Sequence, residues 1–586
     1  MTIPPISEAT IRHHATSSSF DRGEDYYERE CVTDLVQRGN LIQAEVEGSE
    51  ATPYRVTLQF DSGGITSAWC TCPYDFEGWC KHIVAAALTC VRQPDRLETR
   101  PTLVQLLDRL DAVQTQRLVQ AIVEAQPELI EFVDRQVLLM TNPAPPKQAA
   151  KPRRTTVDVA PFRRQVKQIL REGVRAMEEG YEEDPITDEL QEVIDKAQGF
   201  ARNGDGESAI AILDAITSAC VAEWDDIIDY GGDSFPIVEA LNEAWTEAIL
   251  STEISEPQAI DLRVMLETWQ DELNGDFAMS LAALAQGWDD PELQRAMQGN
   301  GYSDPDRLNP PFAQSLALIR LQILDRQERQ AEYLNLARAE GLTLQYLTRL
   351  AEIGEVEAAM AAAPTQMSTA EEAFALAKTL RTDNHLAEAL SIAQAGLSLP
   401  GHCRYDLASW TSELAEGLGD PDLALDASML AFKTRPSFAD YQRVRQLAGD
   451  EWDQIKLDLL KTLRQDREWG AEQAKVDIFL HENLLDDAIQ TVRSDNYYRS
   501  ELVLRVMQAA VAHRPDWVIE AARKRAEPIM EQGKADRYSD AVQWLQQVKA
   551  AYLQSGQESA WTSYFSQLQT QHTRKRKLME LFKQLR

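Results

Sequence analysis

The sequence predicts a mainly α protein with a small β-meander near its N-terminus. Three observations predict it. Residues 41–69 alternate apolar and polar side chains with the period of a strand. Residues 157–586 are rich in Ala, Leu, Glu and Gln with few β-branched runs, which favours helix. Directly after the alternating stretch, three of the chain's seven cysteines fall within eleven residues, with a histidine two positions further on.

In the meander, Ile42, Ala44 and Val46 form one apolar face, and Tyr54, Val56, Leu58 and Phe60 form another. Gly63-Gly64 then turns the chain into Ile65–Trp69. The cluster follows as Trp69-Cys-Thr-Cys-Pro-Tyr-Asp-Phe-Glu-Gly-Trp-Cys-Lys-His82, a C-x-C and a C-x-H separated by seven residues. Residues i and i+2 of a strand share a face, so Cys70 and Cys72 can present both sulfurs to one ion. After Cys80 the period changes, and His82-Ile-Val-Ala-Ala-Ala-Leu-Thr-Cys90 reads as a buried helix that brings Cys80 and His82 to the other side of the site. Three thiols and one imidazole are the donors that Zn²⁺ selects, and Cys70, Cys72, Cys80 and His82 fill four tetrahedral positions. A closed set of this kind is structural and leaves no open position for chemistry. Cys90 reads as core. The odd number of cysteines and the absence of a signal peptide argue against a disulfide scaffold.

The cluster and its surroundings resemble a SWIM zinc finger. The resemblance rests on the C-x-C…C-x-H order, Pro-Tyr after the second cysteine, and Cys80-Lys-His-Ile-Val-Ala-Ala86. Upstream, Phe20-Asp-Arg-Gly-Glu-Asp-Tyr26, Gly39-Asn40 and Val46-Glu-Gly-Ser49 are similar to the lead-in of bacterial SWIM proteins. The resemblance implies a ββα-like zinc fold that binds DNA or protein. SWIM modules occur beside helicases, in transposase-like proteins and in recombination factors, and none of those catalytic neighbours is visible in this sequence.

Beyond the cluster, Leu103, Leu106, Leu107 and Leu110, then Leu118, Ile122 and Val123, recur at helical spacing, and Pro127 opens a further short helix through Met140. Residues 141–156 hold four prolines, four cations and no large apolar residue, which is the composition of a solvated linker. The remainder repeats a polar turn followed by alanine, at Ala209, Ala389, Ala424, Ala488 and Ala541. Ala389 and Ala424 are 35 residues apart, close to the period of a tetratricopeptide (TPR) repeat, where a small residue lets paired helices approach. The expected domains are therefore 1–100 (zinc module with lead-in), 101–140 (helical extension), 141–156 (linker) and 157–586 (TPR-like α-solenoid). An irregular all-helical domain is the competing reading of the last. The tail places Leu578, Leu581, Phe582 and Leu585 on one face of a terminal packing helix, beside the basic run Arg574–Lys577.

The net charge of −35 is unevenly spread, with −9 in residues 1–140, +4 in 141–156 and −30 in 157–586. So acidic a helical part opposes phosphate. Nucleic-acid or partner contact is expected instead from Lys81, Lys147, Lys151, Arg153 and Arg154. No apolar run approaches the roughly 18 residues that cross a bilayer, and the N-terminus lacks the features of a signal peptide, so a cytoplasmic location is expected. Catalytic motifs fail one by one. Gln532-Gly-Lys534 lacks the rest of a P-loop, Gly396-Leu-Ser398-Leu-Pro400 lacks the second glycine of a nucleophile elbow, and His481-Glu482 has no second histidine. The acidic stretch Glu223–Asp233 has neither the spacing nor the bidentate glutamate of an EF-hand. The expectation is a non-enzymatic adaptor with zinc as its cofactor, a protein partner on the helices, DNA or protein on the zinc module, and no membrane or small-molecule substrate. Two rivals stand beside it: an accessory factor in DNA repair, recombination or transposition, and an enzyme with an unrecognised site among the helices.

Overall fold

The computed structural model describes residues 6–50, 52–76, 78–130, 133, 157–178, 186–229, 235–303, 308, 310–465, 470–493, 500–533 and 535–585. It is mainly α with one five-stranded sheet near the N-terminus. Two short helices come first, α1 (Glu8–His14) and α2 (Ser17–Glu28), capped by the side chains of Ser7 and Thr16. They lead into β1 (Val32–Arg38), β2 (Leu41–Val46), β3 (Tyr54–Asp61) and β4 (Gly64–Cys70), an antiparallel meander. Helix α3 (Lys81–Arg92) follows, and β5 (Glu98–Thr99) adds a parallel edge to β1.

The two apolar sets read from the sequence lie on one face. Ile42 opposes Leu58, Ala44 opposes Val56, and Val46 opposes Tyr54. That face is closed by α3, whose residues 82–90 are all buried, and by Phe20 of α2. Gly23 permits the close approach of the two helices, since a Cβ there would lie 2.4 Å from Val84 Cγ1. The β1–β2 hairpin turns at Gly39 (φ +64°), a conformation that glycine adopts without a steric penalty.

Two helices follow, Leu103–Leu107 and Ala112–Ala125, each opened by a capping box (Thr102 with Gln105, Asp111 with Gln114). The first stops at Leu107, so Leu110 lies outside it. Leu103, Leu106, Leu118 and Ile122 are exposed. Pro127 opens a 3₁₀ turn, Pro127–Leu129, and residues 130 and 133 beyond it are helical. The stretch toward Met140 and the linker at 141–156 lie outside the described residues, apart from residue 133.

The chain forms two compact units. The first gathers residues 1–108, 369–374 and 393–586, joining the N-terminal module to the C-terminal helices; the second holds 109–368 and 375–392. The five alanines of the repeated turn motif are fully buried, each near the start of a helix. In the second unit, Trp224, Trp245, Leu266 and Phe277 fill a helical core, and Trp245 donates to Thr217. Glu223 pairs there with Lys167 and Arg171. In the first unit, Leu578, Phe582 and Leu585 are buried at the end of a helical core, as the tail pattern predicts. Lys575, from the basic run, donates to the Met530 carbonyl at the end of the helix Pro515–Glu531.

Within the first unit, α1 lies on the helix Phe438–Ala448. His13 Nδ1 is 3.3 Å from Asp440, and its Nε2 is 2.7 Å from Ser409 Oγ. His14 Nε2 meets Glu413 at 2.9 Å. Arg443 pairs with Glu416 at 2.5 Å and reaches the hydroxyls of Ser7 and Thr10. The β3–β4 turn abuts the helix Arg404–Leu418 so closely that a Cβ on Gly417 would lie 2.3 Å from the Gly63 carbonyl oxygen.

Candidate metal centre

Strand β4 delivers Cys70 opposite Val56, at the end of the apolar face. The ladder continues one residue past the strand, because Thr71 N donates to the Arg55 carbonyl and Arg55 N donates to Thr71 Oγ1. Cys72 is thereby fixed two residues from Cys70. The chain returns through Gly78 (φ +80°), and a Cβ there would lie 2.7 Å from the His14 carbonyl oxygen. Trp79 N donates to that same oxygen at 2.7 Å, and the Trp79 ring stacks on His14 with centroids 4.8 Å apart. Cys80 then occupies the N-cap of α3, and His82 lies in its first turn.

The ligand atoms of Cys70, Cys72, Cys80 and His82 all lie within 4.8 Å of one another. His82 Nδ1 is 3.8 Å from Cys70 Sγ and 4.0 Å from Cys80 Sγ. Zn–S bonds of ~2.3 Å at tetrahedral angles place sulfurs about 3.8 Å apart, so the four donors already stand near their bonding positions. Cys80 and His82 are buried, and Cys70 and Cys72 are partly so.

The electrostatics point the same way. Hydrogen bonding with Cys70, and then with His82 and the Ile83 N–H, outweighs burial and pushes the Cys80 thiol down to about 4. The same pairing with Cys80, together with burial, pushes Cys70 up, and burial pushes Cys72 up. Protons alone thus favour one thiolate at the expense of the other two. A dication at the centre lets all three ionise. The donor set fits zinc: three sulfurs and one imidazole nitrogen hold it, and the ion would fix the β4–α3 loop without an open coordination position. Cys90 stays outside the cluster, buried in α3, where burial pushes its thiol up to about 12.

Of the other expected contact residues, Lys81 is partly buried and donates from Nζ to the Tyr26 hydroxyl at 2.8 Å. Lys147, Lys151, Arg153 and Arg154 lie outside the described residues. Tyr26, Gly48, Tyr54 and Trp79 surround the centre without having been singled out in the sequence as site residues. Their spacing carries no donor pattern, and only the lead-in resemblance touched Tyr26 and Gly48. No helix among the described residues is long and apolar enough to cross a membrane.

Residues 54–91, which run from β3 to the end of α3, match the SWIM zinc finger family model. The expected strand–strand–helix unit is thus the matched span. Among curated proteins, the zinc finger SWIM domain-containing protein 8 homolog of Drosophila melanogaster is 29% identical over 132 residues, 22% of this chain. The alignment covers 6% of that protein's length.

Proposed function

We propose that the chain is a non-enzymatic adaptor of the cytoplasm, in which zinc shapes a recognition module and the acidic, TPR-like helical region serves as a protein-binding scaffold. The observation that carries the reading is the closed donor set: four protein donors satisfy the metal, so its role is to hold shape. Two aromatic side chains beside it support recognition of a partner. Trp69, next to Cys70, is 60% exposed, and Phe76, in the loop between the cysteine pairs, is 74% exposed. Exposed aromatics of this kind anchor protein interfaces. The free cysteines suit a reducing compartment. The lead-in of residues 20–49 supports kinship with bacterial SWIM proteins. Affinity capture with the tagged full chain and with its Trp69→Ala/Phe76→Ala variant tests the reading. Partners lost with the variant support it, whereas an unchanged set of partners removes the module from recognition.

A second reading, single-stranded nucleic acid, is favoured by one surface. Trp69 walls a recess of about 410 Å³ on the open face of the sheet, lined also by Arg38, Arg55 and Arg100. Stacking aromatics with arginines suit bases and phosphates. Asp34 and Glu45 line the same recess, and residues 157–586 carry −30, so this reading ranks second. Binding of an oligonucleotide at two salt concentrations separates the two, because phosphate contacts weaken steeply with salt.

A further inference from the structure

We propose that His82 binds the metal through Nδ1 and is held in that pose by an aromatic cradle made of Tyr26, Gly48 and Tyr54. The inference rests on the metal centre alone and not on the adaptor reading. Two members of the cradle, Tyr26 and Gly48, lie upstream of the span that matches the SWIM model.

The ring's orientation is the starting observation. Nδ1 faces the sulfurs of Cys70 and Cys80. Nε2 points away, is buried, and finds no hydrogen-bond partner among the described residues. A neutral imidazole bound through Nδ1 carries its proton on Nε2. Metal-bound histidines are usually steered by an acceptor for that proton. Among the described residues no carboxylate or carbonyl takes that role, and packing orients the ring.

The packing is specific. Tyr54 stacks on the His82 face with centroids 4.3 Å apart and planes at 26°. Tyr26 meets it edge-on at 5.5 Å and 68°. Each tyrosine is itself fixed. Tyr54 opposes Val46 in the β2–β3 ladder, and its hydroxyl is 3.3 Å from Ser49 Oγ. Tyr26 accepts the Lys81 hydrogen bond, and the same ammonium lies 4.5 Å from its ring centre. Gly48 closes the cradle. A Cβ there would lie 2.4 Å from Tyr54 Cε2 and 3.4 Å from His82 Nε2, so a side chain at 48 forces the Tyr54 ring or the loop backbone against it to shift. Helix α2 and the β2–β3 loop are therefore part of the metal centre, and Lys81 acts as a positioning residue through Tyr26.

Competition with a chromophoric zinc chelator on the full chain tests the cradle. Gly48→Ala and Tyr26→Ala should each weaken zinc binding on the order of 10–100-fold, as loss of outer-shell support does. Tyr26→Phe, which keeps the ring, should recover most of the affinity. The Co²⁺-substituted Gly48→Ala chain should show altered ligand-field bands. Unchanged affinity in both variants, with unchanged bands in Gly48→Ala, would overturn the cradle. A measurement without mutation guards against misfolding: ¹⁵N labelling of histidine in the zinc-loaded chain should show His82 with a protonated Nε2 and a metal-bound Nδ1. The reverse assignment would overturn the proposal.

Discussion

The N-terminal module is held at two places by different means. The loop from Cys70 to His82 gathers four donors that can hold one ion. The α1 edge rests on the C-terminal helices through side-chain contacts, His13 on Asp440 and His14 on Glu413. The first attachment answers to chelators and the second to pH. They meet at Trp79, one residue before the ligand Cys80, whose ring stacks on His14 and whose N–H donates to the His14 carbonyl. The contrast teaches that a chelator at fixed pH acts on one part of a compact unit and spares its neighbour.

Removing the metal is expected to have the largest effect. Structural zinc in small modules is worth on the order of 10–16 kcal/mol of apparent binding energy at neutral pH. Cys72→Ser or His82→Ala should abolish zinc retention and melt the β4–α3 loop, while the helical signal of the second unit persists. Elemental analysis and circular dichroism read the two outcomes. Loss of all helix on metal removal would erase the distinction between the attachments.

Next comes the buried acid of the junction. Asp440 is 2% exposed and takes hydrogen bonds from Ser437 and Tyr405 besides facing His13. Asp440→Ala leaves those donors and the imidazolium unanswered, and should destabilise the first unit by roughly 3–5 kcal/mol in denaturant titration, with zinc content unchanged. An effect near zero would show that the contact does not form in solution.

The pH dependence follows from the signs of the shifts. Burial opposes the His13 imidazolium, but hydrogen bonding and charge from Asp440 outweigh it and raise the pKa above 6.5. That contribution is complete below pH 6.5 and is lost as pH rises through the raised value. Burial likewise opposes the Glu413 carboxylate, yet His14, His13 and Arg443 hold its pKa down at about 2, against 4.5 ordinarily. Its contribution is present above pH 4.5 and is lost as pH falls toward 2. The junction is therefore tightest between pH 4.5 and 6.5 and loosens on the alkaline side. His13→Gln should flatten the alkaline limb of a melting-temperature profile. An unchanged limb would remove His13 from the account.

The smallest effect belongs to the link. Trp79→Ala deletes the stack on His14, worth about 0.5–1.5 kcal/mol beyond the area it buries. Zinc should be retained and the junction's pH profile kept. Loss of zinc in this variant would mean that the two attachments form one system.

How much of this was legible in the sequence depended on range. The four ligands stand within thirteen residues and announce a donor set that few metals other than zinc select. β2 and β3 alternate cleanly and were readable. β1 was not, because the bulge between Val32 and Asp34 breaks the period. Gly23 and Gly48 look like ordinary glycines until Val84 and Tyr54 are seen against them. The junction joins residues about 400 positions apart, His13 to Ser409 and His14 to Glu413, and no local pattern encodes such a pairing. Lys81 read as a free cation because its partner Tyr26 lies 55 residues upstream.

X-ray absorption at the zinc edge of the full chain, purified without chelators, reads the closed zinc centre itself. A closed centre should give one zinc per chain with three sulfurs at ~2.3 Å and one nitrogen at ~2.0 Å. Absent zinc, or a shell in which an oxygen donor replaces a sulfur or adds a fifth position, would contradict it.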